Sequence, residues 1–121
     1  MPFYRPDDNQ LPSVDDAGFD PDEVPRAIAA FGGAMVTKGV EMPMHAHRKG
    51  QLFLTLRGIV RCEADHGVWI VPPRCAVWIP GNVPHSITVS GHVEVYCLFV
   101  APDAAASLPG QCCTLSISPL L

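Results

Sequence analysis

From Phe31 onward the chain alternates between short apolar or apolar–polar runs and clusters of turn residues. The runs are Ala34–Lys38, Gln51–Arg57, Ile59–Ala64, Val68–Val71, Ala76–Ile79, His85–Ser90, Val93–Val100 and Cys112–Ser118. They are rich in β-branched and aromatic residues, and each is shorter than an ordinary helix. Between them stand Arg57-Gly58, Asp65-His66-Gly67, Pro72-Pro73, Pro80-Gly81-Asn82 and Ser90-Gly91. Strands at this spacing, punctuated by turn chemistry, predict an all-β sandwich or barrel. No segment sustains a helical period. The last run ends in Ser118-Pro119, an N-cap residue followed by the residue favoured at the first helical position. A helix that starts where the chain stops implies that these residues are cut from something longer.

Residues 1–26 read differently. Pro2, Pro6, Pro12, Pro21 and Pro25 are set among aspartates, a composition that resists helix and sheet alike. The expectation is an extended N-terminal arm over residues 1–30, followed by one β domain over 31–121. At 121 residues the chain is long enough to bury roughly two thirds of its unfolded surface. The net charge of −4 is concentrated at the front, where Asp7, Asp8, Asp15, Asp16, Asp20, Asp22 and Glu23 precede the first apolar run. A nucleic-acid-binding surface is normally basic, so this chain is not expected to hold duplex DNA itself. Five cysteines without a Cys-x-x-Cys pair read as buried free thiols, which fits a reducing compartment. With no leader and no apolar run of membrane-spanning length, the expected location is the cytoplasm, with no membrane partner.

The chemistry is concentrated in Gly39-Val40-Glu41-Met42-Pro43-Met44-His45-Ala46-His47, with Gln51, Gly58 and, later, Pro80-Gly81-Asn82-Val83-Pro84-His85. Two histidines at i and i+2 on an extended strand face the same way, roughly 6.5 Å apart. Imidazole is the commonest neutral metal ligand, and His85 could close on the same point from another strand. A divalent ion on His45, His47 and His85, with Gln51 as a weak fourth ligand, is one reading; zinc, nickel and iron all suit imidazole. The other is that these side chains hydrogen-bond one another and line a pocket. Phe53 and Thr55 share strand parity with Gln51, and Ile87 and Val89 with His85. Together they predict a mostly apolar cavity for a small molecule. Leu52, Leu54 and Leu56 have the opposite parity. Trp69 and Trp78 read as core anchors, His66 and His92 as solvated turn residues, and Arg48-Lys49 as a solvated loop. Met42 and Met44 fall at the expected rim.

These residues resemble the first motif of the cupin superfamily: a glycine, five residues, His-x-His, an acid three or four residues on, and a second glycine. Gly39, His45, His47 and Gly58 fall on it, with Gln51 where a glutamate belongs. In the second motif Pro80 and His85 match, while Arg74 and Asn82 replace glycines and Val89 replaces an asparagine. The resemblance implies a small antiparallel jelly-roll barrel with the three histidines at its mouth.

A narrower resemblance is carried by three blocks: His45–Leu52, Val71–Ser86 and Cys112–Leu121. They are similar to the sensor domain of AraC-type transcription regulators. In that family a cupin-like barrel takes up a small effector and is followed by two helix-turn-helix units that read DNA. The resemblance implies an effector-sensing regulatory domain, not an enzyme, that touches DNA only through a helix-turn-helix region outside this sequence; a homodimer is compatible with it. The rival readings are a stand-alone metal-dependent cupin enzyme, such as a dioxygenase or isomerase, and a dimerisation module with a vestigial pocket. No nucleophile elbow, phosphate loop or dinucleotide fingerprint points to other chemistry.

Overall fold

A computed structural model describes residues 21–118. A 3-10 turn at Pro21–Glu23 leads into seven strands: β1 (Ile28–His45), β2 (Gly50–Arg57), β3 (Val60–Ala64), β4 (Gly67–Val71), β5 (Cys75–Ile79), β6 (His85–Val100) and β7 (Cys113–Ser116). Every pairing between them is antiparallel. The strand order is β4-β3-β6-β2-β5-β7, with β1 on the other edge of β6. This is the antiparallel jelly roll that the strand spacing and the cupin motif led us to expect.

The organising element is β6. One edge pairs with β1 from Ile28↔Val100 to His45↔His85. Its other edge is shared: residues 85–89 pair with β3 and residues 94–100 with β2. Alternation explains how one strand serves both walls. His85, Ile87, Val89, Val93, Val95, Cys97 and Phe99 are all buried, while their even-numbered neighbours up to Leu98 are half-buried or exposed. Ser90-Gly91 reads as a break in the sequence, yet the strand runs through it. Gly91 takes φ 80° at a corner, and β1 absorbs the bend with register shifts between Thr37 and Val40 and between Met42 and His45. Long-range pairing with β1 outweighs the local turn signal here.

The first strand also reaches further back than the pattern indicates. Residues 28–30 fall in the expected arm but are the opening rungs of β1, and Ala29 is buried in the core. Residues 1–20 of that arm, and Pro119–Leu121 of the expected helix, lie outside the described residues. Among the described residues no helix is long and apolar enough to cross a membrane.

The core fills the barrel with Phe31, Phe53, Val60, Val71, Val77, Ile79, Val93, Val95 and their neighbours. Trp78 is buried on the opposite face of β5, where its ring lies over Gly50 and its indole N–H donates to Pro109 O at 2.7 Å. The segment between β6 and β7 is thereby fastened to the barrel wall. Trp69 is only half-buried. Gly58 shows why the motif needs glycine: at φ 83°, an added Cβ would lie 2.5 Å from His92 O. The cysteines are free thiols, with Cys62, Cys97 and Cys112 buried and Cys75 and Cys113 half-buried.

Candidate functional site

His45 ends β1 and His85 begins β6, and the two are directly opposed in the ladder. His47 does not share the strand, contrary to the i, i+2 expectation. The chain leaves β1 after His45, and His47 sits in the loop of residues 46–49 before β2. It still reaches the others. Ring centroids are 4.3 Å apart for His45–His85, 4.9 Å for His47–His85 and 5.5 Å for His45–His47. Candidate ligand atoms of the three lie within 4.8 Å of one another.

Each imidazole is oriented by the same device. Nδ1 of His45 lies 2.6 Å from Pro43 O, Nδ1 of His47 2.7 Å from Lys49 O, and Nδ1 of His85 2.9 Å from Val83 O. A carbonyl only accepts, so the hydrogen is on Nδ1 in all three rings and each Nε2 carries a lone pair. Backbone carbonyls two residues away therefore set the tautomer that a metal ligand needs.

Two of those lone pairs, on His85 and His47, lack conventional partners. His85 is 1% exposed, and its Nε2 is buried with no hydrogen bond. Nε2 of His47 faces Gln51 Oε1 at 3.2 Å. With the proton on Nδ1, that is one acceptor facing another. Two resolutions exist. A cation can sit between them, since adjacent ligands about 2.1 Å from one ion at near-right angles lie about 3 Å apart. Alternatively the amide turns over, donating to His47 Nε2 while Oε1 accepts from the Cys97 thiol; Gln51 Nε2 and Cys97 Sγ are 3.5 Å apart. The orphaned Nε2 of His85 favours the first. The three imidazoles thus fit a divalent cation.

The charge states agree. Burial pushes the His85 imidazole down to about 4, and the neighbouring His45 and His47 add to this. Burial also lowers His47, against the opposing effects of the Lys49 carbonyl, Gln51 and Asp22. Neutral rings are ready to donate lone pairs. Burial pushes the Cys97 thiol up to about 12, so it stands beside Gln51 as a neutral S–H.

Below the cluster, Phe53, Thr55, Ile87 and Val89 are each at most 1% exposed. Phe53, Ile87 and Val89 belong to the core, and Thr55 Oγ1 is buried without a hydrogen-bond partner. A cavity of about 670 Å³ lies between the β3–β4 turn and residues 82–84, and none of the three clustered histidines lines it. Met44, Val83, Asp65 and His66 are among its lining residues. Met42 points the other way, into the core.

Lys49 corrects the expectation of a solvated loop. It is 2% exposed, with Nζ donating to Val24 O, whereas Arg48 is exposed. Neither Lys49 nor Asp22, which binds the same loop, carries a motif in the sequence; an aspartate among seven early acids gives no local signal. His66 and His92 are exposed, although His92 lies within β6.

Solved structures with this fold include a conserved protein of unknown function from Streptococcus pyogenes (16% identity, TM-score 0.57, covering 64% of this chain and 67% of that one). Another is oxalate decarboxylase from Bacillus subtilis, described for its Mn(II) centres (17% identity, TM-score 0.53, 64% and 22% covered). A third is a glyoxylate-induced protein from Pseudomonas aeruginosa (10% identity, TM-score 0.59, 74% and 35%). At such identities the likeness is one of fold. In sequence the chain is 46% identical over 103 residues to the HTH-type transcriptional regulator NimR of Escherichia coli (strain K12), matching 85% of this chain and 37% of that protein. It spans well under half the length of that relative. The model of the AraC-like ligand binding domain matches residues 37–115. That span holds the whole histidine cluster and the strands that place it, and the chain belongs to the family of AraC-like ligand-binding domains.

Proposed function

We propose that this domain senses a small molecule at the mouth of its barrel, as the regulatory part of a cytoplasmic AraC-type transcription regulator. The observation that carries the reading is the convergence of three Nδ1-tethered imidazoles on one point, within a family defined by ligand binding. His45, His47 and His85, with Gln51, would hold a single divalent ion, which when bound supplies a Lewis-acidic anchor for a donor atom of the effector. A distant fold relative is described for its Mn(II) centres, so this fold is compatible with a divalent metal. The backbone carbonyls of Pro43, Lys49 and Val83 keep the rings aligned. Phe53, Thr55, Ile87 and Val89, packed in the core, would back the site from beneath, and an apolar or aromatic effector would enter by the cavity that Met44 and Val83 line.

Sensing would act by linkage. An effector that binds one arrangement of barrel and N-terminal arm better than another shifts the population toward it, by no more than its differential affinity. DNA contact would be left to a helix-turn-helix region like that of the longer relative. Catalysis is the less supported alternative, because the chain's ligand set lacks the carboxylate of the cupin motif.

The test has two arms. Calorimetric titration with zinc, nickel and iron(II) should show one site that is lost in a His45→Ala/His47→Ala variant. A thermal-shift screen of small metabolites, with and without the ion, should find a stabilising compound. Unchanged ion affinity in the double variant overturns the metal part. Turnover of the stabilising compound to a new product overturns the sensor reading in favour of an enzyme.

A further inference from the structure

The loop that carries His47 is held from two sides. On one side, Asn82 N–H donates to His47 O at 2.8 Å, and Gly81 lies against the loop backbone; a Cβ added there would sit 2.1 Å from Arg48 O. On the other side is the 3-10 turn that precedes the barrel. Asp22 accepts from Arg48 N–H at 2.7 Å through Oδ2 and from Lys49 N–H at 2.9 Å through Oδ1. Lys49 then folds back, nearly fully buried, to donate its ammonium to Val24 O.

Lys49 is the pivot. Its N–H is taken by Asp22, and its C=O accepts from His47 Nδ1. Residues 46–49 lie between β1 and β2 and belong to neither ladder. Their geometry is therefore set by these tethers, of which the two to Asp22 are charge-assisted and correspondingly strong.

We infer that Asp22 is a positioning residue for the ligand cluster, holding the Lys49 carbonyl where it fixes the tautomer and direction of His47. This rests on the reading of His47 as a ligand. Asp22 touches neither an ion nor an effector; it acts through the loop. The coupling must be reciprocal, so an ion on His47 should tighten the Asp22 contacts by the factor by which Asp22 tightens the ion. A merely structural anchor would stabilise the barrel without being sensitive to occupancy of the cluster.

The experiment compares the 121-residue protein with Asp22→Ala and Asp22→Asn, the latter keeping one acceptor oxygen. Zinc affinity is measured by calorimetry, amide exchange at Arg48 and Lys49 by NMR, and the His47 tautomer from its ring ¹⁵N shifts. The expected result is zinc affinity lower by about tenfold or more in Asp22→Ala, the usual scale for a residue that orients a ligand. Asp22→Asn should fall between. Zinc should slow exchange of the Arg48 and Lys49 amides in the wild type by a comparable factor. Equal affinity in all three proteins, or exchange indifferent to zinc, overturns the inference. Should the wild type bind no zinc, the metal reading fails by itself and the tautomer decides this one. A His47 that leaves the Nδ1–H form in Asp22→Ala supports it, and an unchanged tautomer overturns it. If Asp22→Ala does not fold, Asp22→Asn carries the same comparison against the wild type.

Discussion

Mild acid should destabilise this domain through His85. The imidazole is 1% exposed, its Nε2 has no hydrogen-bond partner, and burial holds it at about 4 against an ordinary 6.5. Because the folded value is the lower one, the unfolded chain binds the extra proton between the two. The stabilisation is complete above the unfolded value and is lost as pH falls through the window toward the folded one. At 1.36 kcal/mol per pKa unit the full window is worth about 3 kcal/mol, most of which is spent by about pH 4.5. That is a large share of the ~5–15 kcal/mol that holds a typical domain together. His47, also lowered by burial, adds in the same direction. Asp22 does not obscure the effect. Burial raises its carboxyl, but the bonds from Arg48 and Lys49 and the nearby positive groups outweigh that and leave it lowered. Its contribution is lost only as pH falls below the ordinary carboxylate value, under the range assayed. The assay is urea unfolding in chelator between about pH 7.5 and about pH 4.5, wild type against His85→Leu. Wild type should lose about 2–3 kcal/mol more than the variant across that range. Parallel losses would refute the reasoning, because a buried neutral His85 cannot be absent from the difference.

Three other outcomes are expected. Gly81→Ala forces a Cβ to within 2.1 Å of Arg48 O, and should cost about 1–3 kcal/mol in urea unfolding while weakening zinc binding, because the loop it displaces carries His47. Gln51→Glu should raise divalent-ion affinity by about tenfold or more in calorimetry, since a full charge replaces a dipole; in chelator the same buried carboxylate should lower the melting temperature. Burial pushes Cys62 and Cys97 up to about 12, so a thiol-specific disulfide reagent should leave both unmodified in the native protein and label them only after denaturation.

Much of the barrel is legible in the sequence because alternation and turn chemistry are local properties. β2 to β5 and β7 fall within a residue or two of the runs that announce them. The departures have a common cause in partners distant along the chain. Ser90-Gly91 has the composition of a turn, but β1 supplies a continuous ladder across it. His47 obeys the spacing of a strand residue and is nonetheless a loop residue, pulled off β1 by contacts to Lys49 and Asn82. Lys49 is buried because of Val24 and Asp22, more than twenty residues upstream. Two substitutions in the glycine frame show the opposite: Arg74 at φ 65° and Asn82 at φ 66° hold the left-handed conformation without glycine. The backbone shape survives there although the residue that would advertise it does not, at a cost of roughly 1–2 kcal/mol for a residue such as arginine.

β6 also sets the spacing of the histidine cluster. It begins with His85, one of the three rings, and near its far end Phe99 lies edge-on to another, with the His47 and Phe99 centroids 5.4 Å apart. Fully extended, the intervening chain would separate these residues by roughly 45 Å. The corner at Gly91 brings them back to the same place, and the inward parity of odd-numbered residues, interrupted at the exposed Gly91, resumes at Val93 in phase. The strand works as a ruler bent into a clasp: the count of residues around the corner, more than their identity, decides whether its two ends meet. A single inserted residue at the barrel's far end would therefore turn one half of β6 inside out and part His85 from Phe99 without touching either.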